Sequence, residues 1–149
     1  MEQLVKVGVG LIILNANNQV LMGLRTGDGY GSGLWGFVGG KMEFGESFEQ
    51  TAARECFEET GIKLLPEQIK VLDVTNDFDG ISHYVTIFTV ARVHKATACV
   101  TEPDKCLKWE WKDINKLPDN LLLPIINFQK KYDIVHLIGK ITNVTNDSK

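Results

Sequence analysis

Glu46, Glu55, Glu58 and Glu59 crowd one short stretch of the chain, with Arg54 among them and Gly39-Gly40 just before. On a helical wheel of about 100° per residue, Glu55, Glu58 and Glu59 fall at roughly 0°, −60° and +40°. Three carboxylates thus share one face. Like charges at such spacings repel by about a few tenths of a kcal/mol per pair in water. A hard divalent cation turns that repulsion into attraction. Magnesium prefers oxygen ligands and keeps several waters, so a carboxylate cluster completed by phosphate oxygens suits it, and manganese takes similar ligands. Three glutamates alone would equally make a solvated acidic face. The surroundings favour chemistry: the glycine pair lets backbone approach a ligand closely. Glu46 adds a carboxylate at the helix entrance, and Arg54 carries a planar fork that can brace one.

A helix must hold these groups, and its ends are well marked. Ser47 is an N-cap with Gln50 as its capping-box partner, and Gly61 is placed to end the helix in a left-handed turn. The helix is therefore expected over about 48–60, with Ala52, Ala53, Cys56 and Phe57 as its apolar face. Before it, residues 5–14 and 20–24 read as a hairpin turning at Asn15-Ala16-Asn17-Asn18. Residues 25–33 contain four glycines and read as a mobile loop. Residues 34–38 read as a short strand ending at Gly39-Gly40. After the helix, strands are expected over 69–75, 82–93 and 107–111, with Asp77-Phe78-Asp79-Gly80 as the turn joining the first two. A second helix is expected over about 125–132 after Pro118 and Pro124, and residues 142–149 read as a frayed polar tail. This order gives the α/β class: a single domain over 1–149 with a mixed central sheet in an α/β/α sandwich.

The 149 residues suffice for one domain with a real core. A net charge of −3 argues against a nucleic-acid polymer as partner, because such surfaces are basic. Polyphosphate can still bind an acidic protein through a cation. The apolar run 7–14 is too short for a membrane span and lacks the flanks of a signal peptide, so a cytoplasmic location is expected. Three cysteines, Cys56, Cys99 and Cys106, show neither paired metal spacing nor an even disulfide count, which fits reduced thiols.

Taken in order, Gly40, Glu46, Arg54, Glu55, Cys56, Glu58, Glu59, Gly61 and Ile62 resemble the Nudix box, G-x5-E-x7-R-E-U-x-E-E-x-G-U, with unbroken spacing. Cys56 stands where the family usually has an aliphatic residue, and Val38 where it often has proline. Neither change removes a reacting group. Further segments resemble the nucleoside triphosphate diphosphatase branch: Val7-Gly8-Val9-Gly10, Gly33-Leu34-Trp35, His83-Tyr84-Val85-Thr86, Glu102-Pro103 and Trp109-Glu110-Trp111.

The resemblance implies that Glu55, Glu58 and Glu59 bind magnesium, that one of them deprotonates or orients the attacking water, and that Gly40 lends its carbonyl. Glu46 and Arg54 brace helix and loop. Glu102, in a loop outside the box, is a candidate further ligand. Arg25 is a candidate phosphate contact. Gly39, Gly40, Thr86 and the aromatics Trp35 and Phe37 are candidate substrate contacts, although aromatics at strand positions also serve the core. Tyr84, Thr86 and Phe88 share a strand face by period-two alternation. His83 and His94 read as surface or packing residues. The implied activity is conversion of a nucleoside or deoxynucleoside triphosphate to monophosphate and pyrophosphate, as clean-up chemistry for damaged nucleotides, by a homodimer. Two alternatives stand beside it: hydrolysis of a nucleoside diphosphate linked to another moiety, and a binding module of the same fold without catalysis.

Overall fold

A computed structural model describes residues 2–131 and 133. The elements run β1 (Val5–Leu14), β2 (Gln19–Arg25), β3 (Trp35–Gly36), β4 (Val38–Lys41), α1 (Phe48–Thr60), β5 (Lys70–Phe78), β6 (His83–Arg92), β7 (Cys106–Asp113) and α2 (Leu123–Lys131). Seven strands form one mixed sheet. Its main path is β3-β2-β1-β6-β5, with β4 against β1 and β7 against β2. The β1–β6 pair is parallel and the others are antiparallel.

Alternation along β1 divides the core between the two sheet faces. Val9, Leu11 and Ile13 pack with Ala52 and Cys56 of α1. Ile12 and Leu14 pack with Phe88 of β6 and with Ile125 and Phe128 of α2. The sheet therefore lies between helices, as the order of elements implies. Gly8 and Gly10 leave a stretch of the second face without side chains, and this bare strip becomes the floor of a cavity.

Helix α1 has the predicted limits. Ser47 Oγ accepts from the Gln50 N–H at 3.1 Å, the Gln50 side chain accepts from the Ser47 N–H at 2.8 Å, and Gly61 closes the end at φ 78°.

Two expectations change. The strand expected over 34–38 is two strands separated at Phe37, and the second continues through Gly39 and Gly40. Those glycines pair with Gly10 and Val9. A Cβ on Gly39 would lie 2.3 Å from the Val9 carbonyl, so glycine here permits close strand contact rather than a loop. The expected turn at Asp77 begins later: Asp77 and Phe78 remain in β5. The reversal uses Asp79, whose carboxylate accepts from the Ile81 and Ser82 N–H groups, with Gly80 at φ 96°. The glycine-rich segment is folded back on itself, with Gly33 N–H on the Arg25 carbonyl and Arg25 Nε on the Tyr30 carbonyl. The tail reading over 142–149 and the Tyr132 end of the second helix lie outside the described residues.

Candidate active site

A cavity of about 580 Å³ opens where α1, β4 and the loop before β7 meet β1, β6 and α2. The sequence-predicted Arg25, Phe37, Gly39, Gly40, Thr86 and Glu102 line it, together with Glu55, Glu58 and Glu59. Trp35 does not. It is 8% exposed, sits in the α2-side core, and carries the Lys112 ammonium 4.2 Å from its ring centre. Its aromatic character serves packing and a cation–π contact.

Glu46 and Arg54 stand behind the cavity wall as a brace. Arg54 Nε and Nη2 donate to the two Glu46 oxygens at 2.7 and 3.0 Å, a bidentate fork. Arg54 also reaches the Lys41 carbonyl at 3.0 Å, Glu55 at 2.8 Å and Glu58 at 3.2 Å. Glu46 accepts further bonds from Thr51 and the Glu43 N–H. One guanidinium thus ties β4, the turn before α1 and the helix together. The Arg54 hydrogen bond, foremost, holds the Glu46 carboxyl down at about 2, against an ordinary 4.5.

The remaining carboxylates are under opposite pressure. Glu59 accepts from the Gly39 N–H at 2.9 Å. Burial, with the charges of Glu55 and Glu102 added, nevertheless pushes it up to about 8. Burial also raises Glu55, against the pull of Arg54. These are crowded carboxyls whose charged forms are disfavoured until positive charge is supplied.

Glu102 arrives here through contacts that were not legible from its loop composition. The Cys99 N–H donates to the Thr60 carbonyl, one of the orphan carbonyls at the end of α1, and Thr101 Oγ1 donates to the Glu58 carbonyl. The loop is thereby fastened to the helix immediately before Glu102. Two further residues escaped the sequence reading. Asp77 lines the cavity and is 3% exposed, and Asn127 of α2 hydrogen-bonds to it at 2.9 Å.

The NUDIX domain family matches residues 4–133. The chain belongs to the Nudix family. Its relatives include an RNA pyrophosphohydrolase of Pseudoalteromonas atlantica, 34% identical over 100 residues. That match covers 67% of this chain but only 52% of the relative, so the chain spans about half its length. An oxidized purine nucleoside triphosphate hydrolase of Danio rerio is 29% identical over 127 residues, covering 81% of this chain and 79% of the relative. Among solved structures, a MutT Nudix hydrolase from Burkholderia pseudomallei superposes with a TM-score of 0.75 at 27% identity, covering 87% of this chain and all of the other.

Nudix enzymes generally use divalent metals, and the donor set fits one. It consists of oxygens: three α1 carboxylates line the cavity, with the Gly40 backbone beside them. Gly40 also provides a cradle, since a Cβ there would lie 2.3 Å from Glu55 Cδ and 2.6 Å from both its oxygens. Among the described residues, however, no three acidic, histidine or cysteine side chains stand grouped around a common metal position. Arg54 draws Glu55 and Glu58 toward itself, while the Gly39 N–H holds Glu59. Chelation would require Glu58, the most exposed of the three, to turn away from Arg54.

Proposed function

We propose that this chain is a magnesium-dependent pyrophosphohydrolase of a nucleoside or deoxynucleoside triphosphate, releasing monophosphate and pyrophosphate and serving nucleotide clean-up. The observation that carries this reading is one continuous cavity with a carboxylate end on α1 and an aromatic end on β6. A water oxygen forms a bond to phosphorus, the phosphoanhydride P–O bond breaks, and the water proton leaves to a carboxylate or solvent. Arg25, Lys41 and Lys105 line the same cavity and offer positive charge to phosphate oxygens. Glu46 and Arg54 hold α1 against β4, so that the carboxylates meet substrate in fixed register. Glu55, Glu58, Glu59 and the Gly40 carbonyl would hold the magnesium, with Glu102 beside them, and the ion supplies phosphate charge neutralisation and an acidified water.

The relatives support the reading by their names: one is a pyrophosphohydrolase and one hydrolyses oxidized purine nucleoside triphosphates. The proposal extends to manganese as a substitute ion and to a cytoplasmic homodimer, whose association state sedimentation would read. No helix among the described residues is long and apolar enough to cross a membrane. The deciding experiment is a pyrophosphate-release screen over canonical, oxidised and methylated nucleoside triphosphates with magnesium and with manganese. Release of pyrophosphate and monophosphate is expected. Two monophosphates from a dinucleotide or nucleotide sugar, with triphosphates untouched, would overturn the substrate; silence on every substrate would leave a binding module.

A further inference from the structure

The aromatic end of the cavity is closed by a second carboxylate, and its surroundings differ from those on α1. Asp77 Oδ2 accepts from Thr75 Oγ1 at 2.9 Å and from Thr86 Oγ1 at 2.6 Å; Oδ1 accepts from Asn127 Nδ2 at 2.9 Å. Three neutral donors from β5, β6 and α2 thus fix its plane. Asp77 is 3% exposed and Thr86 8%, and both face the cavity.

The hydrogen count of this wall determines what it can recognise. A carboxylate has no hydrogen to give. A threonine hydroxyl has one, and that of Thr86 is committed to Asp77. Toward a ligand, both residues therefore present lone pairs only. The neighbouring surfaces suit a flat ring: Gly8 and Gly10 leave the floor bare, Phe37 and Phe88 meet edge to face at 6.3 Å, and Tyr30 stands 6.4 Å from Tyr84.

Position matches the polyphosphate end. Thr75 pairs with Thr86, Thr86 with Gly8, and Gly8 with Lys41, in one row across β5, β6, β1 and β4. Three strand spacings, roughly 14 Å, separate the two ends of that row. A base held at β5 leaves its phosphates directed toward β4 and α1.

We propose that Asp77 and Thr86 select the nucleobase by reading two adjacent N–H donors, the N1–H and N2–H2 edge of a guanine-type purine. Adenine and cytosine place a ring acceptor beside their amino group, which would face the Asp77 or Thr86 lone pairs. Uracil and thymine offer a single N–H between two carbonyls. Hypoxanthine keeps N1–H but lacks the amine. Leaving a buried acceptor unmatched is the larger penalty, so discrimination comes mainly from rejection of wrong edges.

This inference rests on the nucleotide reading of the site, and its test separates the two. Calorimetric titration of the wild-type chain with dGMP, dIMP and dAMP needs no turnover. Affinity is expected to fall about tenfold from dGMP to dIMP, as one hydrogen bond is lost, and further for dAMP. Asp77→Asn, which turns an acceptor into a donor, and Thr86→Val, which removes one, should each erase the dGMP-to-dIMP ratio. Equal binding of the three by wild type overturns the proposal, as does an unchanged ratio in both variants with melting temperatures preserved. If neither variant folds, the wild-type series decides alone. The same ratios are read as kcat/KM on dGTP, dITP and dATP. Hydrolysis with no base ranking sinks this inference and leaves the proposed function standing. Ranked binding without hydrolysis does the reverse, and neither binding nor hydrolysis overturns both.

Discussion

Two acidic centres stand at opposite ends of one cavity, and the same functional group behaves differently in each. On α1, Glu55 and Glu59 are crowded by each other and by Glu102, and burial lifts both from their ordinary range. The positive charge near Glu55 and Glu58 comes from Arg54, which Glu46 already engages with two hydrogen bonds. At the far end, Asp77 accepts from two hydroxyls and an amide, which fix its plane and leave acceptor capacity toward the cavity. The first arrangement attracts a cation. The second presents a finished acceptor surface to a neutral ligand. Partner supply, rather than residue type, decides which task a carboxylate can take.

The sharpest way to break this contrast is to remove charge where it is in excess. Glu58→Gln and Glu59→Gln should each lower kcat by on the order of 10²–10³, because charge stabilisation at the phosphate is lost. Melting temperature should hold, since Glu58 pairs with Arg54 only at the exposed surface and burial already disfavours the charged form of Glu59. Steady-state pyrophosphate release and a thermal melt check both halves; full activity in both variants would remove α1 from the chemistry. Gly40→Ala tests the cradle instead of the charge. Its Cβ cannot coexist with Glu55 at 2.3 Å, so the carboxylate must move. A displacement of this kind costs about a hundredfold in kcat. An active Gly40→Ala enzyme with unchanged metal requirement would show that Glu55 is dispensable.

These two ends also differ in how far they could be read without coordinates. The α1 end is written locally. Ser47, Gln50 and Gly61 mark the helix by interactions within a few residues, and the spacing from Glu55 to Glu59 places the acids on one face. The Asp77 end depends on contacts across the chain. Asn127 lies 50 positions away and Thr86 lies across a strand pair. Asp77-Phe78-Asp79-Gly80 carries the composition of a turn, and only the antiparallel pairing with β6 keeps its first half extended. Gly39-Gly40 was legible in part: the pair reads as permitting close approach, and the fold adds that Gly39 approaches the β1 backbone. Trp35 in β3 is buried in the core, whereas Phe37, in the break between β3 and β4, packs against that same core and also lines the cavity.

A different substitution would make the far end resemble the near one. Asn127→Asp would set a second carboxylate against Asp77, replacing a donor at 2.9 Å with a like charge. The expected loss of stability is about 2–3 kcal/mol, since a buried hydrogen bond is exchanged for an unpaired charge. Denaturant melts measure it. An unchanged midpoint would mean that Asn127 does not order Asp77.

The smallest effect isolates the brace from both ends. Glu46 titrates at about 2 in the folded chain against an ordinary 4.5, so folding favours its charged form. A depressed carboxylate contributes stability above its ordinary value and loses it as pH falls toward the folded value. The wild-type advantage over Glu46→Gln should therefore be full at neutral pH, shrink below 4.5 and vanish near 2. Partial exposure of both Arg54 and Glu46 limits the plateau to about 1 kcal/mol. Parallel melts of the two proteins across that window give the difference directly. A gap that persisted at the acid end would assign the stabilisation to the acceptor geometry of the Glu46 carboxyl, since a glutamine amide sets a donor against Arg54, Thr51 or the Glu43 N–H, instead of to its charge. The brace would then act through hydrogen-bond pattern, and acid inactivation would have to originate among the α1 carboxylates themselves.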